Sequence, residues 1–448
     1  MAIEEKWFIY NSVTLGWGIL DKNELEILFN PAGSDEKYCT DLYNAGLIQC
    51  NGQYIFLQEK ELDEVITYFE INLTNTCNIR CKYCVSNFNY SQKAINMDNK
   101  TSTNIINALK TYIEEKNIDS VTIEFSGGEP LLNFNIIQKF VTGLANIKCN
   151  ISYVIQTNGL LLDMSKIQFI KNNNMIQLAI SVDGITEKQN SNRVDKNNKP
   201  ILNKVNEIIK KIKSSQIPFS IVIVVSEQNV DNIEQIIQYF IENNITETFS
   251  LLPLLPFGIA SENQITIEIK KYVEALIKLH ENYLLQKNTE TEQSIVERNM
   301  GVISSYIFSP GRGYICNQNP CGAGRKIVSI GPTGKIYPCY GFQEIDEFLL
   351  GNINDGYNFS AITDSPIAQK LYLRNVEEIE SCKECPYKLW CNGGCVTNSY
   401  LRHKDIMQRD EIYCNINKSL IEKILFEYSD NDKMINYLRK IKKSWDTL

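Results

Sequence analysis

The chain has 448 residues, 43% hydrophobic and 22% charged, a balance that belongs to globular domains and excludes a disordered or fibrous chain. A net charge of −8 argues against a nucleic-acid partner, and the lack of an eighteen-residue apolar run or a signal-like leader argues against a membrane partner, so a cytoplasmic protein is expected. In that reducing compartment the 14 cysteines read as metal ligands before disulfides, and only two histidines, His280 and His403, could compete with them.

Residues 1–65 predict a small winged-helix-like unit, with strands at 8–10 and 16–20, helices at 23–29 and 36–45, and a hairpin or wing over 48–57 turned at Asn51-Gly52. Over 66–260, apolar runs at 66–73, 121–125, 151–155, 176–182, 219–225 and 248–252 alternate with helical patterns at 103–116, 134–144, 165–172, 201–212 and 233–241. Strand–helix alternation at this spacing predicts an α/β fold with a parallel sheet, and six units make a partial (β/α)6 TIM-type barrel. Ligands in such folds sit at the carboxyl ends of the strands. Residues 261–310 read as a helical bridge. Residues 311–430 hold eight cysteines among glycines and prolines, too few apolar runs for a large core, and are expected to fold around metal. An amphipathic pattern over 418–443 predicts one helix leading into a C-terminal helix or tail at 431–448.

The first strand of the barrel runs into Cys77, Cys81 and Cys84, spaced C-x3-C-x2-C. Three thiolates on one short loop can hold three irons of a [4Fe–4S] cube and leave the fourth open to a chelating ligand. A zinc loop completed by a distant fourth cysteine is the competing reading. Ser126-Gly127-Gly128-Glu129-Pro130, Gln156-Thr157-Asn158-Gly159 and Ser181-Val182-Asp183-Gly184 each end a predicted strand. Paired glycines let backbone carbonyls approach an ammonium, and a nearby carboxylate favours its charge.

This ordered set resembles the radical S-adenosylmethionine (SAM) superfamily. The resemblance implies that SAM chelates the open iron and is cleaved reductively to a 5′-deoxyadenosyl radical. It implies that Gly127, Gly128 and Glu129 hold the methionyl amine and that Tyr83 contacts adenine. By the same resemblance Ser181 and Arg193 meet carboxylate or ribose, and Leu254 packs on adenine.

Downstream, Cys321, Gly334 and Cys339 are followed by Cys382, Cys385, Cys391, Cys395 and Cys414, with Cys316 just upstream. Zinc knuckles would also use C-x2-C pairs. The pattern resembles the SPASM domain, an iron–sulfur domain of peptide-modifying radical SAM enzymes. It implies two auxiliary clusters, one on Cys316, Cys321, Cys339 and Cys395 and one on Cys382, Cys385, Cys391 and Cys414, hence three [4Fe–4S] clusters in all. Cys39, Cys50 and Cys149 are left as packing residues.

Together the resemblances imply a maturase that abstracts hydrogen from a ribosomally made precursor peptide and installs a thioether or carbon–carbon cross-link. The amino-terminal unit would bind the leader, and a flavodoxin- or ferredoxin-type donor would supply electrons. An anaerobic sulfatase maturase making formylglycine is the alternative. In that family an aspartate base follows the cysteine at the Cys339 position, and here Tyr340 stands there. A non-catalytic iron–sulfur redox or peptide-binding protein is the reading from another class, and it has no use for an open iron. No general base is selected among Tyr340, Glu344 and Asp346.

Overall fold

The computed structural model describes residues 2–3, 6–11, 16–29, 36–48, 65–85, 93–290, 294–308, 315–317, 321–429 and 431–445. At the amino end, β1 (Ala2–Ile3), β2 (Lys6–Tyr10) and β3 (Trp17–Leu20) form an antiparallel sheet, followed by α1 (Lys22–Phe29) and α2 (Glu36–Asn44). The two strands and two helices expected there are found, and β1 is an addition. The expected wing lies, beyond Ile48, outside the described residues. The unit is tied to the rest of the chain: the Trp17 indole Nε1 donates to the Ile307 carbonyl at 2.8 Å, and its ring meets Phe308.

The barrel follows in chain order. It comprises β4 (Tyr68–Asn72), the short β5 (Ile79–Cys81), α3 (Asn99–Glu115), β6 (Ser120–Ser126), α4 (Phe134–Leu144) and β7 (Asn150–Thr157). Then come α5 (Met164–Asn172), β8 (Ile176–Ser181), β9 (Arg193–Asp195), α6 (Leu202–Ser214), β10 (Phe219–Val225), α7 (Ile233–Glu242) and β11 (Thr248–Pro253). Local chemistry explains these elements. The helix α3 starts where the Asp98 carboxylate accepts from Thr101 N, then buries Ile105, Ile106, Leu109, Tyr112 and Ile113 along one face. The strand β10 reads Phe-Ser-Ile-Val-Ile-Val-Val, the β-branched composition of a strand covered on both sides.

The six main strands pair in parallel in the order β4, β6, β7, β8, β10, β11, the partial barrel of the sequence expectation. The sheet does not stop at six. On one side β12 (Val296–Glu297) pairs with β11. On the other, β13 (Ile327–Ile330) from the cysteine-rich region pairs in parallel with β4 and continues antiparallel into β14 (Lys335–Tyr337) and β15 (Gly351–Asn352). An unpaired β4 would leave a row of backbone donors and acceptors without partners, and β13 satisfies them. The cysteine-rich region therefore shares the barrel's sheet.

The amphipathic stretch expected as one helix forms two, Glu411–Glu422 with a π-turn at Lys423–Glu427, then Asp432–Trp445. The break falls at Asn431, whose side chain accepts from Met434 N and caps the second helix, so local capping overrides the continuous apolar periodicity. No described helix is long and apolar enough to cross a membrane.

Candidate active site

Cys77, Cys81 and Cys84 line a cavity of about 330 Å³ at the carboxyl ends of the barrel strands. The loop that carries them is shaped by the next strand's loop. Gly128 N donates to Thr74 O and Glu129 N to Thr76 O, each at 2.8 Å. A Cβ on Gly127 would lie 2.4 Å from Thr74 O, and one on Gly128 only 2.0 Å from Thr76 O; Gly127 also sits at φ +122°. Both glycines are thus required by the close approach of the two loops. Burial pushes the Cys77 thiol up to about 11 and the Cys81 thiol up to about 12. Binding a metal there therefore releases protons, and the donor set of sulfur alone suits iron–sulfur ligation.

The strands β5 and β9 form a two-stranded antiparallel ribbon in which Cys81 stands opposite Arg193. This ribbon brings Arg193 into the cavity wall, 6% exposed. Its Nη1 donates to the Tyr83 hydroxyl at 2.9 Å, and that hydroxyl donates to Asp183 Oδ2 at 2.5 Å. Burial pushes the Asp183 carboxyl up, with Arg193 and the Tyr83 hydroxyl pulling it back. Arg193 Nε is buried without a hydrogen-bond partner. Glu129 accepts from Thr157 Oγ1 at 2.6 Å and from Asn158 N and Leu131 N at 3.0 Å. Its carboxylate locks the Gly-Gly loop to the Gln156–Gly159 loop while lining the cavity. Ser181 also lines it. Leu254 packs behind the wall against Tyr83 and Ala260, and the apolar lining there comes from Leu252, Pro253 and Leu255.

Sequence reasoning missed the cavity floor. Glu70 on β4 and Glu124 on β6 are register partners and both face the cavity. Glu70 accepts from Tyr340 N at 2.6 Å, and Glu124 accepts from the Tyr68 hydroxyl at 2.5 Å. Desolvation, then the charge of Glu124, pushes Glu70 up to about 8 against the Tyr340 hydrogen bond. The only sequence signal was a lone acid in each of two apolar strands. Of Tyr340, Glu344 and Asp346, Tyr340 is the one lining the cavity.

The remaining cysteines assemble in two places. Burial holds the Cys321, Cys339 and Cys395 thiols up, with Cys395 and Cys321 adding to the shift at Cys339 and Cys321 to that at Cys395, while Cys316 stands exposed at the edge of this group, within reach of the charges of Cys321 and Cys395. Cys382, Cys385, Cys391 and Cys414 form the other group; a Cys391 hydrogen bond holds the Cys414 thiol down to about 6. Tyr413 lines the cavity, and its hydroxyl, pushed up first by burial, also lies within reach of the charges of Arg298, Cys395, Asp410 and Cys316, so it stands between the cavity and the first group. Cys39 and Cys149 stand apart from these groups, half-buried, and Cys50 lies outside the described residues.

Comparison with known proteins bears on this arrangement. The radical SAM superfamily profile matches residues 71–240, and the profile of the SPASM iron–sulfur cluster-binding domain matches residues 321–386. The chain is 24% identical over 370 residues to a cysteine-type anaerobic sulfatase-maturating enzyme of Clostridium novyi, covering 81% of this chain and 96% of that one. It is 26% identical over 378 residues to the radical SAM cyclopropyl synthase TigE of Paramaledivibacter caminithermalis, covering 82% and 75%. Its fold is similar to that of SuiB from Streptococcus suis bound to the precursor peptide SuiA, with TM-score 0.60, 17% identity and coverage of 92% and 98%.

Proposed function

Since this chain belongs to the radical SAM superfamily and carries a SPASM iron–sulfur domain, we propose that it is a peptide maturase that removes hydrogen from a carbon of a precursor peptide and closes a thioether or carbon–carbon cross-link. The observation that carries this reading is one continuous cavity. It has the three-cysteine loop and Arg193 in its walls, a carboxylate pair at its floor, and Tyr340 and Tyr413 beside the first group of SPASM cysteines.

Cys77, Cys81 and Cys84 would hold a [4Fe–4S] cluster, which together with SAM supplies a 5′-deoxyadenosyl radical. Around that chemistry the chain's own residues bind and orient. The Arg193 guanidinium, with its unpartnered Nε, would take the SAM carboxylate. The Tyr83 ring, fixed by Arg193 on one side and Asp183 on the other, would present a set face to adenine. Glu70, with Glu124 beside it, would receive the proton that cross-linking releases from the peptide, because it is the carboxylate held against the Tyr340 backbone next to Cys339. The two SPASM cysteine groups would carry the auxiliary clusters that receive the accompanying electron, and a flavodoxin- or ferredoxin-type protein would feed the system. The amino-terminal sheet would hold the leader by strand addition; the fold shared with SuiB, bound to its precursor peptide, supports a peptide partner.

Formylglycine formation is the second reading, favoured by the sulfatase-maturating relatives and by Glu70, which places a carboxylate beside Tyr340 where that family carries an aspartate. One assay separates the two. Reduced enzyme, SAM and a precursor peptide should yield 5′-deoxyadenosine and a peptide lighter by two hydrogens that resists hydrazide labelling. A hydrazide-reactive aldehyde on a sulfatase peptide would replace cross-linking with formylglycine formation, and absence of 5′-deoxyadenosine would overturn both.

A further inference from the structure

Arg374 follows the helix Pro366–Tyr372 and is 4% exposed. A buried guanidinium normally pairs with a carboxylate, because an uncompensated charge away from water is costly. Among the described residues, none of the hydrogen bonds of Arg374 goes to one. Nε donates to Ile406 O at 2.6 Å, Nη1 to Asn392 O at 3.0 Å and Nη2 to Gln408 O at 3.2 Å. Asn392 lies in the five-residue segment from Cys391 to Cys395, whose two ends belong to different cysteine groups. The same segment closes over the guanidinium at Gly393, where φ is +73° and a Cβ would sit 3.1 Å from Nη2. The backbone that holds the cation thus runs between Cys391 of one group and Cys395 of the other; burial works against its charge, and the charges of Cys321, Cys395, Cys382 and Cys391 work for it.

We propose that Arg374 is a shared buried counter-ion for the two auxiliary iron–sulfur clusters, which favours the reduced state of both and screens the repulsion between them. The inference rests on the reading that these eight cysteines hold two clusters. A thiolate-ligated cube is anionic and gains one negative charge on accepting an electron, so a fixed cation beside it makes reduction easier. A cation between two cubes acts on both. The clusters would also stand in for the carboxylate partner that Arg374 lacks among the described residues, which explains why a charge is buried there with its hydrogen bonds going to backbone carbonyls. Arg374 is a positioning residue, touching neither peptide nor SAM in this arrangement.

The test uses the full chain with Cys77, Cys81 and Cys84 changed to Ala, so that only auxiliary clusters contribute, reconstituted anaerobically and titrated with redox mediators under EPR. Adding Arg374→Met should leave the iron content of this parent unchanged. It should also lower the reduced-to-oxidised ratio of both clusters at least tenfold at a fixed potential, a 59 mV shift for a one-electron couple. Arg374→Lys, which keeps the charge, should stay nearer the parent. If the Met variant loses iron, Arg374→Gln and Arg374→Lys are compared on the same titration, and the Gln variant should show the larger shift. Full iron with unmoved midpoints, or a shift in one cluster alone, overturns the shared counter-ion. A parent that binds no iron overturns the cluster reading itself, and the two failures are told apart by the iron analysis.

Discussion

Arg193 enters the cavity already holding the Tyr83 hydroxyl, with its Nε buried and unpartnered. A charge-assisted hydrogen bond from that guanidinium to a carboxylate contributes roughly 1.5–3 kcal/mol. Arg193→Ala should therefore weaken SAM binding about tenfold to hundredfold in anaerobic equilibrium dialysis, and unchanged affinity would remove Arg193 from the SAM site. Glu70 gives a second expectation at this scale. A positioned base contributes about 10²- to 10⁴-fold, so Glu70→Gln should cut cross-linking by about that factor while 5′-deoxyadenosine formation persists. Equal loss of both products would make Glu70 a structural residue. These two residues differ in how legible they were. Arg193 stands at a fixed distance from Ser181, so a resemblance along the chain could find it. Glu70 and Glu124 are 54 positions apart and meet only through strand register, and no local pattern records that pairing.

Among the elements, the six parallel strands and the helices between them follow from apolar periodicity, and their expected and observed bounds differ mainly by a residue or two at the ends. The β5–β9 ribbon did not follow. Three residues on each side carry too little pattern to read, yet this pairing sets Cys81 against Arg193. The strand β13 was hidden for another reason: its partner β4 lies more than 250 residues earlier in the chain, so its burial is a tertiary fact. The amino-terminal sheet yields a prediction of its own. Trp17 fastens β3 to Ile307 and Phe308 at the end of the helix Arg298–Phe308. A chain starting at Glu64 should still cleave SAM without peptide, yet lose modification of a full-length precursor in a mass-spectrometric assay. Modification at the full-length rate would reduce the unit to a cap.

Across the described residues, Cys39 and Cys149 stand apart and the other cysteines fall into one group of three in the barrel and two groups of four in the C-terminal region, with Tyr413 and the Glu70–Tyr340 contact linking the barrel to the nearer of the two. The shared sheet, through β13 beside β4, fixes that relation rigidly, as a separate metal-folded domain on a tether could not. Spacing along the chain was enough to count the cysteines, because ligands on one loop must be near in sequence. The interleaving of Cys395 with Cys316, Cys321 and Cys339 was reached only by resemblance, since those positions close through the fold. Anaerobic reconstitution followed by iron and sulfide analysis tests the three-cluster assignment most directly. The intact chain should carry about twelve irons, and changing Cys77, Cys81 and Cys84 together to Ala should leave about eight, in two cubes. Iron near zero with stoichiometric zinc, or no loss of iron in the triple variant, would contradict it.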